Sequence, residues 1–205
     1  MKLYFAPGAC SIGIHVLMEE IGKPFERHKM NFAEREQYGD AFVQKNPKSK
    51  VPTLEKDDGS VITEFPAIAT YLAMTNPDKK LMPSNADDAA KAMEVMDYCV
   101  ATLHMQGFSR MFRPENYAPT KTDHDAVKAR GKEIFEKGLA LLDGKMAGKE
   151  YVVGQFSVAD AALFYIEFWA GRVKIPLPAN LQAHFDRMKA RPAVQRTFTA
   201  EGLPA

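Results

Sequence analysis

The sequence predicts an α/β unit followed by an all-helical one, and three observations carry that prediction. Strand-like and helix-like segments alternate through about the first 75 residues. Beyond them the strand signals stop and long helical periodicities take over. Between the two lies 76–88 (NPDKKLMPSNADD), polar and interrupted by two prolines, which reads as a linker. The boundaries are accordingly set at 1–76 for the first domain, 77–88 for the linker and 89–205 for the helical domain.

Residues 2–5 (KLYF) form a short strand closed by the turn formers Pro7 and Gly8. Ile12, Val16, Leu17 and Ile21 then recur at helical spacing until Gly22 and Pro24 stop the helix. A second strand is expected at 25–30, and 34–45 reads as a polar, irregular helix. The segments 51–56 (VPTLEK) and 60–63 (SVIT) flank Asp57-Asp58-Gly59, a hairpin turn signal. Pro66 opens a helix to about Ala73, because the first helical position has no intrahelical use for an N–H.

In the second half, Met93, Met96, Val100, Leu103, Gly107 and Met111 trace one long amphipathic helix over 89–112, and another is expected at 123–146. Ser157 and Asp160 form a capping box that starts the next helix. Residues 158–171 (VADAALFYIEFWAG) are apolar nearly all round, which predicts a buried central helix. Two shorter helices follow near 179–190 and 192–200, divided by Pro192.

With 46% hydrophobic residues the chain can bury a sizeable core. Its 27 basic and 26 acidic residues leave a formal charge of +1, with no field to draw in nucleic acid or an anionic membrane. The amino terminus, MKLYFAPGAC, is too short in apolar residues for a signal core or a membrane span, so a cytoplasmic protein is expected. The two cysteines, Cys10 and Cys99, make no CxxC pair and join no Cys/His cluster, so neither a disulfide framework nor a metal site is expected.

Cys10 stands between a Pro-Gly turn and a helix start, where free N–H groups and the helix dipole stabilise a thiolate. A small buried apolar cysteine is the competing reading, and the context leaves the two about even. Val51-Pro52 opens the third strand; an ordinary trans proline is the default, whereas a cis bond would let the Val51 main chain pair with an extended peptide. Thr63-Glu64-Phe65-Pro66 ends a strand and opens a helix, suiting a carboxylate at the N–H groups and an ammonium at Glu64, against the alternative of a solvated glutamate. Asp97 and His104, seven apart on the long helix, fall on nearly one face and could look into a cleft between domains; a surface histidine is the alternative. The aromatic residues Phe108, Phe112, Tyr165, Phe168 and Trp169 suit either a substrate pocket or the core.

Taken together, MKLYFAPGACS, NPKSKVPTL, TEFPAIATYLA, FSVADA and the final RPAVQRTFTAEGL resemble the cytosolic glutathione transferases, most of all the bacterial beta class, across essentially the whole chain. The resemblance implies a thioredoxin-like domain with a mixed four-stranded sheet joined to an all-helical domain. It implies a homodimer with a detoxifying transferase activity, glutathione as co-substrate and no tightly bound cofactor. Cys10 then matches the cysteine that contacts the glutathione sulfur and can form a mixed disulfide with it. Val51 and a cis Pro52 match the main-chain clamp, Glu64 and Phe65 the pair that holds the γ-glutamyl end, and Asp97 a polar position near the same site. His104 matches the helix histidine that points toward the thiol, and Arg35 a lysine that meets the glycyl carboxylate. The second substrate, a small apolar electrophile or a disulfide, would meet Phe5, Met105, Phe108, Phe112 and Trp169.

Three departures from the family pattern stand out: Phe65 replaces a serine, Phe5 a tyrosine and Met105 a lysine, with the stretch to Phe108 one residue longer. A non-catalytic binding or regulatory protein of the same fold is the alternative function.

Overall fold

The computed structural model describes residues 1–204. Contacts divide the chain into two compact units, Met1–Ser84 together with the segment from Met188 onward, and Asn85–Arg187. The last helix, expected with the helical domain, therefore groups with the first unit.

The first unit is built on a four-stranded mixed sheet of order β2-β1-β3-β4. Strand β1 (Lys2–Phe5) pairs parallel with β2 (Glu26–Lys29) and antiparallel with β3 (Thr53–Glu55), which pairs antiparallel with β4 (Val61–Thr63). The β3–β4 hairpin is shorter than its sequence limits suggest, since Lys56 N–H already bonds Ser60 O at 2.8 Å and Gly59 takes a positive φ of 80° in the turn. Helix α1 (Ser11–Ile21) is buried along almost its whole length and stops at Gly22, whose φ of 74° lets its N–H return to Met18 O. The stretch 34–45 resolves into a 3-10 turn (Glu36–Tyr38) and a short helix α2 (Asp40–Val43), separated by extended backbone at Gly39. Helix α3 (Phe65–Thr75) has proline in its first turn, as expected.

Leu3, Ile12, Ile14, Leu17, Leu54, Ile68 and Leu72 are fully buried and form the core of this unit. Helix α9 (Pro192–Glu201) packs on α1, and ion pairs tie the two: Arg196 Nε to Glu19 Oε2 and Arg191 Nε to Glu20 Oε1, both 2.6 Å. These contacts are the physical reason the chain's last helix leaves the helical unit.

In the second unit a long helix begins with α4 (Ala86–Asp97), capped by Asn85 Oδ1 accepting from Asp88 N–H at 2.8 Å. It continues as a π-helical stretch (Tyr98–Phe108) and finishes as α5 (Ser109–Phe112). Helix α6 (His124–Met146) lies against the π-helical stretch. Their approach is so close that a Cβ added to Gly131 would sit 2.7 Å from the Gly107 carbonyl oxygen. Helix α7 (Val158–Arg172) is buried nearly all round and begins with the expected capping box, Ser157 N–H donating to Asp160 Oδ2 at 2.8 Å. Helix α8 (Ala179–Lys189) brings His184 to two buried carboxylates of α7, Asp160 and Glu167.

Among the described residues no helix is long and apolar enough to cross a membrane.

Candidate functional site

The turn between β1 and α1 carries Cys10. Ala9 N–H closes it onto Ala6 O at 3.0 Å, and Ser11 Oγ accepts from Ala6 N–H at 3.2 Å. Gly8 adopts a φ of 66°, which a residue with a Cβ rarely does, and its N–H donates to Glu201 Oε2 at 2.7 Å. Glu201 Oε1 also accepts from His15 Nδ1 at 2.9 Å, while Arg27 Nε–H donates to His15 Nε2 at 3.0 Å. The arginine donor makes Nε2 the acceptor, so the ring proton lies on Nδ1 and points at Glu201. A chain of bonds, buried at His15 and Glu201, thus runs from the exposed Arg27 to the cysteine turn. His15 and Glu201 were not among the sequence candidates; a histidine inside the apolar run of α1 was the one available hint.

Cys10 Sγ donates to Val51 O at 3.5 Å. Burial pushes the thiol up to about 12, outweighing the downward pull of the Ser11 and Cys10 N–H groups. Cys10 therefore carries its proton at neutral pH, although part of the residue reaches solvent.

Val51-Pro52 is cis. The Val51 side chain rests on a cluster of Tyr4, Met30 and Phe42, and the preceding loop is pinned by buried Asn46, whose Nδ2 donates to Lys50 O and Thr53 Oγ1, both at 2.8 Å. Among the described residues the Val51 N–H has no hydrogen-bond partner. Its donor is therefore open to an extended peptide.

Glu64, between β4 and α3, has φ 74° and ψ 132°, a conformation that costs a non-glycine residue roughly 1–3 kcal/mol. Its exposed carboxylate pairs with Lys48 Nζ at 2.5 Å. Phe65 follows with its ring buried, so the main chain at the helix start is what this residue presents. Arg35 lies in an exposed loop with φ 57°, its guanidinium 5.2 Å from the Tyr38 ring centre. No bond joins it to the Cys10 or Val51 segments among the described residues.

Phe5 corrects the expectation of a pocket residue. It is 2% exposed and packs its ring 5.3 Å from His15, so it belongs to the core. Tyr4 likewise has a committed phenol, donating to Glu55 Oε2 at 2.7 Å.

In the second unit, His104 sits half-buried with its ring edge-on to Trp169 at 4.6 Å and to Tyr165 at 5.9 Å. Trp169, Phe108 and Phe112 continue as a near-parallel stack, with centroid spacings of 4.1 and 5.5 Å. Phe108 and Trp169 are buried and back this wall, Phe112 (56% exposed) is its accessible end, and Met105 (41%), next to His104 in the chain, is exposed as well. Asp97 is exposed at the end of α4 and does not share the aromatic setting of His104. Cys99 is fully buried, and burial holds its thiol well above the ordinary range, so it is packing. Among the described residues no group of three or more His, Cys, Asp and Glu side chains is placed to hold a metal ion.

Residues 1–74 match the glutathione S-transferase N-terminal domain and residues 99–192 the glutathione S-transferase C-terminal domain. The chain is 37% identical over 211 residues to the glutathione S-transferase GstA of Escherichia coli, covering 99% of this chain and 100% of that one. A sphingomonad glutathione S-transferase solved in complex with glutathione is 35% identical, with a TM-score of 0.86 and 100% of both chains covered. The bacterial beta class glutathione S-transferase of Sphingomonas chungbukensis is 33% identical, again with a TM-score of 0.86 and 100% of both chains covered.

Proposed function

The chain belongs to the glutathione S-transferase family, and from that premise we propose that it binds glutathione on its first unit and directs the glutathione sulfur at small apolar electrophiles. The observation that carries this reading is the meeting of the Cys10 thiol with the Val51 main chain, 3.5 Å apart, beside an open Val51 N–H. An extended tripeptide would pair with that main chain as an added strand. Glu64 and the start of α3 at Phe65 would hold its γ-glutamyl end, by charge and by N–H groups respectively. Pro52 would turn the clamp, and by the resemblance Arg35 and Asp97 would meet the remaining polar groups.

With its thiol raised by burial, Cys10 fits a donor role better than a nucleophilic one, its single S–H turning from Val51 O to the glutathione sulfur. A sulfur that accepts a hydrogen bond is easier to ionise, and each pKa unit gained corresponds to ~1.4 kcal/mol. By the resemblance His104 would be the second group to serve the thiol, and Met105 and the Phe112 face would offer the electrophile an apolar surface. Thiol-disulfide exchange through a Cys10 mixed disulfide would need the thiolate and is correspondingly slow at neutral pH. The active form is a homodimer in the cytoplasm, with a detoxifying role.

Binding to immobilised glutathione and turnover of a chlorinated dinitrobenzene test the reading, with Cys10→Ala beside the wild type. The wild type should do both. Cys10→Ala should keep binding and part of the conjugation; if it instead loses all exchange with a glutathionylated disulfide that the wild type reduces rapidly, the nucleophile role returns. Failure of the wild type in both assays would favour the non-catalytic alternative. Sedimentation would read the dimer.

A further inference from the structure

The long helix of the second unit widens after Asp97. Over Tyr98–Phe108 it is π-helical, and Ser109 N–H reaches back five residues to His104 O. Such stretches are rare and interrupt the regular i→i+4 ladder, so they persist where other groups hold them. Here two carbonyls just past His104 have partners from side chains. Tyr117 Oη donates to Met105 O at 2.6 Å and lies 3.0 Å from Ser109 Oγ. Arg110 Nη1 donates to Gln106 O at 2.9 Å, and its guanidinium covers the Tyr117 ring at 4.3 Å. Tyr117 is itself fixed by a 3-10 turn, its N–H bonding Pro114 O at 3.0 Å.

We propose that Tyr117 is a positioning residue: its hydroxyl holds the wide turn in the register that presents Met105 beside His104, and so sets the shape of the surface that selects the electrophile. This rests on the reading that the Met105 and Phe112 face receives the second substrate. The phenol is suited to the task because one oxygen serves both a main-chain carbonyl and a side-chain hydroxyl across the widened turn. Met105 has no side-chain anchor of comparable directionality, being flexible and 41% exposed, so its placement follows its backbone.

Tyr117→Phe tests this, since it keeps the ring under Arg110 and removes only the hydroxyl. The Met105 methyl resonance, assigned with Met105→Leu, should shift, and KM for a bulky apolar electrophile should rise about three- to tenfold, the range expected for one lost hydrogen bond. KM for glutathione should stay within twofold. Ser109→Ala, which removes the secondary partner, should move the same readouts less. An unmoved methyl resonance with electrophile KM within twofold would overturn the proposal. So would equal changes in both KM values together with a lowered melting temperature, which would mark a merely structural role. If the wild type makes no conjugate at all, the proposed function fails while the methyl shift still decides whether Tyr117 positions Met105.

Discussion

Cys10 should be among the least reactive of partly exposed cysteines in the unliganded protein. Its thiol is held at about 12 against an ordinary value of 9.0. At pH 7 those values correspond to roughly one thiolate in 100,000 molecules and roughly one in 100, so alkylation should run about 1,000-fold slower than for an unhindered thiol. The perturbation is pH itself. Iodoacetamide labelling from pH 6 to pH 10, with the Cys10 peptide quantified by mass spectrometry, should give a rate that climbs about tenfold per pH unit without levelling off. Cys99, fully buried, should remain unlabelled until the chain unfolds. The linkage runs in the same direction: the unfolded chain releases the Cys10 proton near 9 and the native chain near 12, so this group leaves stability unchanged below pH 9 and lowers it above. A plateau below about pH 8.5 would overturn this expectation, because it would show the N–H groups at the helix start overcoming desolvation. It would also restore the mixed-disulfide route.

Glu201→Ala leaves the buried Gly8 N–H and His15 Nδ1–H donors without their shared acceptor, and should cost about 1–3 kcal/mol for each in urea unfolding and lower conjugation by loosening the Cys10 turn. Gly131→Ala forces a Cβ to 2.7 Å from a backbone oxygen that cannot swing away, and should cost about 1–3 kcal/mol, whereas Gly144→Ala, with open space around it, should be neutral or stabilising by up to ~1 kcal/mol; chemical denaturation compares the pair. Burial pulls His184 down, but Glu167 and Asp160 outweigh it and raise it to about 9 from 6.5. Its contribution to stability is therefore complete below pH 6.5 and lost as pH rises through about 9, and His184→Asn should flatten that part of the melting-temperature profile.

The helices and strands of both units were legible because their signals are local. The spacing of Ile12, Val16, Leu17 and Ile21, the Asp57-Asp58-Gly59 turn and the Ser157/Asp160 box each specify geometry within a few residues. The candidate site was legible in part. Cys10 and Val51 are 41 residues apart, and the family resemblance rather than any spacing rule brought them together. Phe5 was placed at the pocket by the resemblance alone, and no local pattern could have said that the fold covers both faces of its strand, as the burial of Leu3, Tyr4 and Phe5 alike shows.

By itself the sequence determined the order of elements, the family and the identity of the groups that can do thiol chemistry, since these depend on residue type and short spacing. Tertiary structure alone decided the burial that raises the Cys10 thiol, the support of its turn by Glu201 from 193 residues away, and the π-helical setting of His104. The reason is physical: a proton's affinity depends on how much water the fold removes, and a buried bond depends on which distant segment the fold delivers.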